Sequence, residues 1–188
     1  MVGNAHGRLR DATRAAPEAL ETRLGILDRL SDAGERRALV EGFHSFHADL
    51  EAAAAPWLSG LHGLEFEARR RTPHLERDLA HYGRSPSAVA SGLAADGVAA
   101  ALGLMYVAEG STLGGQVIRR HVETSGGDMA GLSFLDPYGR ETGPRWRGFL
   151  AVLNAVARTP AEIEAMVAGA LAGFRHAELR LCGASADA

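Results

Sequence analysis

Five stretches of the chain repeat apolar residues at steps of three and four: LETRLGILDRL (20–30), LVEGFHSFHADLEAA (39–53), VAAALGLMYVAEG (98–110), WRGFLAVLNAVA (146–157) and IEAMVAGALAGFRHAELRL (163–181). That spacing lays a stripe along a helix and scatters over both faces of a strand. Runs of alternating β-branched residues are absent from the sequence. The pattern predicts an all-α fold, a compact single-domain helical bundle over residues 1–188 with seven or eight helices. Breaks are expected at SDAGE (31–35), RTPH (71–74), GRSPS (83–87), TSGGD (124–128), DPYGRETGP (136–144) and RTPAE (158–162). In the last of these, Thr159 is suited to the N-cap, Pro160 to the first helical position and Glu162 to the third.

Composition narrows the function classes. A formal charge of -3 over 188 residues gives no hint of binding to nucleic acid or to a membrane surface. No run of about 18 apolar residues occurs, so no membrane span is expected. The opening MVGNAHGRLRDATRA lacks the apolar core of a secretory signal. With one cysteine, Cys182, the chain suits a reducing compartment, and a cytoplasmic location is expected. All twenty basic residues are arginine, so any anion clamp here is a guanidinium, suited to bidentate contact with carboxylates.

One stretch conflicts with its own secondary structure. YVAEGSTLGGQVIRRH (106–121) reads as helix, yet it contains Gly110, Gly114 and Gly115. Each interior glycine costs a helix roughly 0.5–1 kcal/mol relative to alanine. A phosphate loop needs a preceding strand and a lysine, and this stretch has neither. Two readings remain from spacing: close packing of a second helix, or a flat ligand lying against the backbone.

AEGSTLGGQVI, with the preceding LGLMYV, resembles the distal helix of the haem oxygenases, most closely the bacterial branch associated with bacteriophytochromes. FLDPYGRETGPRWRGFLAVL (134–153) is similar to the segment that follows that helix in the branch. LRDATRAAPEALE (9–21) looks like the family's first helix, and AGALAGFRHAEL (168–179) looks like its closing helix. The similarity spans essentially the whole chain.

The resemblance implies a haem held between a proximal and a distal helix, serving as both cofactor and substrate. It is cleaved to biliverdin, carbon monoxide and iron, with electrons from an external donor, a ferredoxin or a reductase. It implies that Gly110 and Gly114 bring the distal backbone close to the iron, that Gly115 eases a bend, and that Ser111 stands where many relatives carry a water-ordering aspartate. Arg10, Arg14 and Arg147 are carried over as contacts to the haem propionates, and Tyr106 and Phe174 as further cofactor contacts. The expected partners are haem or a bilin, a redox donor and a bacteriophytochrome.

The proximal side departs from the pattern. The family's first helix reads LRxATxxxHxxLE, and its histidine ligates the iron. Pro17 falls at that position, with Leu9, Arg10, Ala12, Thr13, Leu20 and Glu21 in register around it. Proline offers no ligand atom and no N–H, and it is tolerated only in a helix's first turn. Glu18 and Glu21 are neighbours, but carboxylates are uncommon axial ligands. His6 lies eleven residues upstream and reaches the site only if the N-terminus folds back. His44 and His47, on the following helix, are the weak candidates for a metal ligand.

Those histidines also belong to EGFHSFHADLE (41–51), where Glu41, His44, His47 and Glu51 fall on one side of a helix. Glu-x-x-His is half of a carboxylate di-metal site. No second half accompanies it, and the sequence expectation is a polar face of a surface helix. Two functional classes follow: a haem oxygenase without its usual proximal ligand, or a non-catalytic relative that binds haem, a bilin or a protein partner.

Overall fold

The computed structural model describes residues 5–87 and 91–183. Among these there are eight α-helices and three short 3₁₀ turns, with no strand. The helices are α1 (Ala5–Ala12), α2 (Ala15–Leu24), α3 (Ile26–Arg29), α4 (Ala33–Leu58), α5 (Thr72–His81), α6 (Val98–Thr124), α7 (Thr142–Val156) and α8 (Pro160–Cys182). The all-α expectation holds.

Pro17 divides what the sequence presents as one first helix. A proline cannot donate to the carbonyl four residues back. The Thr13 carbonyl takes the Ala16 amide instead, at 3.0 Å. Thr13 itself folds back, its Oγ1 donating to the Leu9 carbonyl at 2.8 Å. Arg14 keeps helical dihedrals at the junction (φ -50°, ψ -42°), and Pro17 becomes the third residue of α2. The first amides of a helix have no intrahelical acceptor, so the missing N–H costs nothing there. Gly25, in the left-handed region at φ 52°, then ends α2.

The remaining boundaries follow local chemistry. Asp32 caps α4 by accepting from the Glu35 amide at 2.8 Å. The expected capping box opens α8: Thr159 accepts from the Glu162 amide, and the Glu162 carboxylate accepts from the Thr159 amide at 2.8 Å.

The core forms where α6 crosses α8. Leu102, Met105, Met166 and Ala170 are buried there to 1% exposure or less. The close approach is made by glycines outside the stretch flagged in the sequence. A Cβ on Gly103 would collide with the Met166 carbonyl, and one on Gly169 with the Ala100 carbonyl. A Cβ on Gly173 would stand 2.9 Å from Val107 Cγ2. Helix packing therefore accounts for Gly103, Gly169 and Gly173, and leaves Gly110 and Gly114 to be explained.

Candidate functional site

The α6 helix has two differently used faces. One packs on α8; the other, with α2 opposite, bounds a cavity of about 480 Å³. α2 contributes Pro17 and Leu20 to its wall, α4 Phe43 and His47, and α8 Phe174. Tyr106, Gly110, Ser111 and Gly114 line it from α6, and Trp146 from α7. The wall is mostly apolar, while Arg10 and Arg14 stand at the rim with side chains 71% and 81% exposed. An apolar slot with a cationic rim suits a flat amphiphile with anionic substituents.

The three glycines of the flagged stretch separate by surroundings. A Cβ on Gly114 would meet nothing within 4 Å, and one on Gly110 would first meet Trp146 Cη2 at 3.9 Å. Nothing in the protein's own packing requires glycine at either position, and both border the cavity. Gly115 differs, because its α-carbon abuts the Leu135 carbonyl and leaves no room for a Cβ. It lines the same cavity, but packing alone demands glycine there. α6 is helical without interruption from Val98 to Thr124.

The segment pressed against Gly115 is firmly held. The Asp78 carboxylate accepts from the Ser133 and Phe134 amides, each at 2.9 Å. Gln116 Nε2 donates to the Gly139 carbonyl at 2.7 Å. Asp136 is paired with Arg119 at 2.6 Å. Phe134 and Leu135 are thereby fixed on the cavity wall.

Other expected residues fall in unexpected places. Arg147 is exposed on α7 and is not part of the cavity wall; its neighbour Trp146 is. Ser111 borders the cavity, but its hydroxyl proton goes to the Ala108 carbonyl at 2.7 Å. His6 needs no folded-back terminus to approach the rim. It sits on α1 against Tyr106 and Trp146, ring centroids 6.1 and 5.9 Å away. Burial, with Arg10 nearby, lowers its pKa.

The Glu41–Glu51 face is not the solvated surface expected. Glu41 does sit outside, bonded to Arg84 at 2.8 Å. His44, His47 and Glu51 are buried at 5%, 2% and 3% exposure. Glu51 accepts from the Arg71 and Thr72 amides, the Thr72 hydroxyl and the Arg70 guanidinium, and so fixes the start of α5. No cluster suited to a metal ion occurs among the described residues.

A buried charge network, missed in the sequence, lies behind the cavity. Glu109, 1% exposed on α6, pairs with Arg69 at 2.5 Å and receives the Tyr138 hydroxyl at 2.8 Å. Arg71 lies 3.8 Å from the same carboxylate and stacks 4.3 Å above the Tyr138 ring. Burial raises the Tyr138 pKa to about 12, so it remains a neutral donor. The run EARRR (67–71) carried the signal, since arginines beside an apolar core pattern need carboxylates to accompany them inside.

Polarity and lining fit a porphyrin: a cavity bounded by the α6 backbone at its glycines, with aromatic groups in its wall and exposed guanidinium groups at its rim. α2 presents no imidazole to it. His47 is the histidine on the cavity wall among the described residues.

Comparison with known proteins agrees with this geometry. The sequence model of the family described as Heme oxygenase matches residues 4–178. A heme oxygenase of Xanthomonas campestris pv. campestris (strain 8004) is 34% identical over 145 residues, covering 77% of this chain and 87% of the relative. Among solved structures, the NO- and CO-bound heme oxygenase from Neisseria meningitidis is similar with a TM-score of 0.84. It is 24% identical, with 98% of this chain and 95% of that one covered, and it speaks for the fold. No helix among the described residues is long and apolar enough to cross a membrane. The chain belongs to the haem oxygenase family, whose function is the degradation of haem to biliverdin.

Proposed function

We propose that this chain binds haem in the slot between α2 and α6 and opens it to biliverdin, carbon monoxide and iron, using electrons from an external donor. The observation that carries the reading is the pair Gly110 and Gly114. A side chain at either would meet only ordinary contact or open space within the protein, so a ligand is what keeps them bare. When bound, haem supplies both the iron that activates dioxygen and the porphyrin that is consumed.

The protein's own part is binding, orientation and exclusion of water. Arg10 and Arg14 would hold the propionates, and Tyr106 and Phe174, on the cavity wall, would contact the macrocycle. Gly110 and Gly114 set its distance from α6, with Ser111 beside them. Phe43 and Phe134, ring centroids 4.8 Å apart, add apolar wall that excludes water. The electron donor is a ferredoxin or a reductase, and the biliverdin made is passed to a bacteriophytochrome. The cell compartment is the cytoplasm, in keeping with the single free thiol of Cys182.

Pro17, at the position matched to the family's axial histidine, favours a second reading: a relative that holds haem or a bilin, or engages a protein partner, without turnover. Haem titration followed by ascorbate or a reductase separates the two. A Soret band that gives way to biliverdin absorption is the expected result. A stable Soret band without biliverdin rejects cleavage, and no Soret shift rejects haem as the ligand.

A further inference from the structure

A second cavity, about 590 Å³ in volume, lies between α4, α8 and the turn that follows α5. It shares no lining residue with the slot between α2 and α6. Close backbone approaches build it. At Gly42, α4 comes so near α8 that a Cβ would stand 3.1 Å from the Arg180 carbonyl. Gly83, in the left-handed region at φ 65°, follows α5 and turns the chain back. The Gly83 amide donates to the Ala80 carbonyl and the Arg84 amide to the Leu79 carbonyl, each at 3.0 Å. That turn delivers Arg84 to α4, where its Nε meets Glu41 at 2.8 Å.

The wall carries more donors than the protein itself uses. Arg180 commits Nε and Nη2 to Asp49 Oδ2, at 2.8 and 2.7 Å, and Arg84 commits Nε to Glu41. A guanidinium has five N–H groups, so both keep donors for an occupant. His44 borders the same cavity at 5% exposure, and its Nε2 has no hydrogen-bond partner among the described residues. A polar atom buried so deeply is ordinarily paired. Glu41 is the one acid of this wall among the described residues, and its charge is turned to Arg84.

These donors come from three separate elements: His44 from α4, Arg84 from the turn after α5 and Arg180 from α8. A tetrahedral oxyanion offers oxygens in as many directions, whereas a carboxylate offers two. Guanidinium groups are matched to phosphate in both charge and geometry. We propose that this cavity is a second ligand site, taking a phosphate group, free or as the ester of a small molecule, on Arg84, Arg180 and His44. The cavity is larger than a phosphate ion and has room for the organic part of an ester. The site does not depend on haem in the slot.

Titrating the haem-free chain with inorganic phosphate at pH 7 and constant ionic strength, followed by NMR, tests the assignment. Saturable shifts of the His44 ring and of the Arg84 and Arg180 Nε signals are expected. Arg84→Met is expected to weaken binding about tenfold, the loss typical of a charge-assisted hydrogen bond. Glu41→Gln removes the opposing charge and is expected to tighten binding. These side chains are 55% and 40% exposed, so neither change disturbs the core. Glycerol 3-phosphate separates the two sources: tighter binding than inorganic phosphate assigns an ester, and equal or weaker binding assigns the free ion. The proposal is overturned if chloride reproduces the shifts, if phosphate does not saturate, or if the His44 ring does not respond. It is equally overturned if Arg84→Met binds phosphate as the parent does, or if acetate binds as tightly as phosphate.

Discussion

Gly114 and Gly115 are adjacent in sequence and opposite in surroundings: a Cβ on the first meets nothing within 4 Å, and one on the second collides with the Leu135 carbonyl. Alanine substitution is therefore expected to have opposite signs. Gly115→Ala forces α6 away from the fixed 133–135 segment and is expected to destabilise by about 1–3 kcal/mol. Gly114→Ala removes an interior helix glycine and is expected to stabilise the haem-free protein by about 0.5–1 kcal/mol. It also fills the slot, so haem affinity should fall while stability rises. Urea unfolding and haem titration on both variants check this, and equal stability changes would refute the division.

Glu109 and Arg69 are 1% and 3% exposed. Removing one member of a buried pair leaves an uncompensated charge, at a cost of about 3–5 kcal/mol. Glu109→Ala is expected to fall in that range by chemical denaturation, because Arg69 and Arg71 both lose their carboxylate. Glu41→Ala, which breaks the exposed pair with Arg84, is expected to change stability by less than about 1 kcal/mol.

His47 makes stability depend on pH in a defined window. Burial, with Arg71 and His44 contributing, holds its folded pKa well below 6.5. The unfolded chain restores the ordinary value, so on acidification the unfolded state takes up the proton first. The contribution is full above pH 6.5 and is lost as pH falls below it, by up to about 1.4 kcal/mol per pH unit until the folded pKa is reached. Comparing the parent with His47→Gln between pH 7 and 5 isolates the effect, since His6 and His74 titrate in both. The variant should show the flatter slope.

α2 buries a single residue, Leu24, among its ten. Its inward face borders the slot, so its anchorage depends on what fills the slot. Its amides are expected to exchange readily without haem and to slow on haem addition, while α6 and α8 change little. Hydrogen exchange read by mass spectrometry decides this. Equal protection of α2 in both states would show that it is held independently of a ligand.

The helices were legible because their apolar repeats are long and their caps conventional, as at Thr159 and Glu162. The cavity wall at Gly110 and Gly114 was legible because glycine inside a helix is costly and calls for a reason. The packing glycines Gly103, Gly169 and Gly173 were not, since each depends on a helix more than 60 residues away in sequence. The burial of His44, His47 and Glu51 was missed for a related reason. Polar residues on a helix read as solvated until Arg70, Arg71 and Thr72 are seen to arrive and satisfy Glu51. Arg147 and Trp146 show the limit of register: adjacent positions on α7 face different ways, and the charge is the one outside.

Pro17→His tests whether the slot lacks only a ligand. The position borders the cavity, and histidine restores an N–H as well as adding an imidazole. Pro17→Ala restores the N–H alone, so the amide can compete with that of Ala16 for the Thr13 carbonyl, and it supplies nothing to iron. With haem added, the histidine variant is expected to gain the absorption and electron paramagnetic resonance signature of a nitrogen-ligated iron, while the alanine variant keeps the parent spectrum. If both variants change alike, the cause is the geometry of the α1–α2 junction and not ligation. If neither changes, α2 does not face the iron, and the proximal assignment of Pro17 fails while the cavity formed by Gly110 and Gly114 stands.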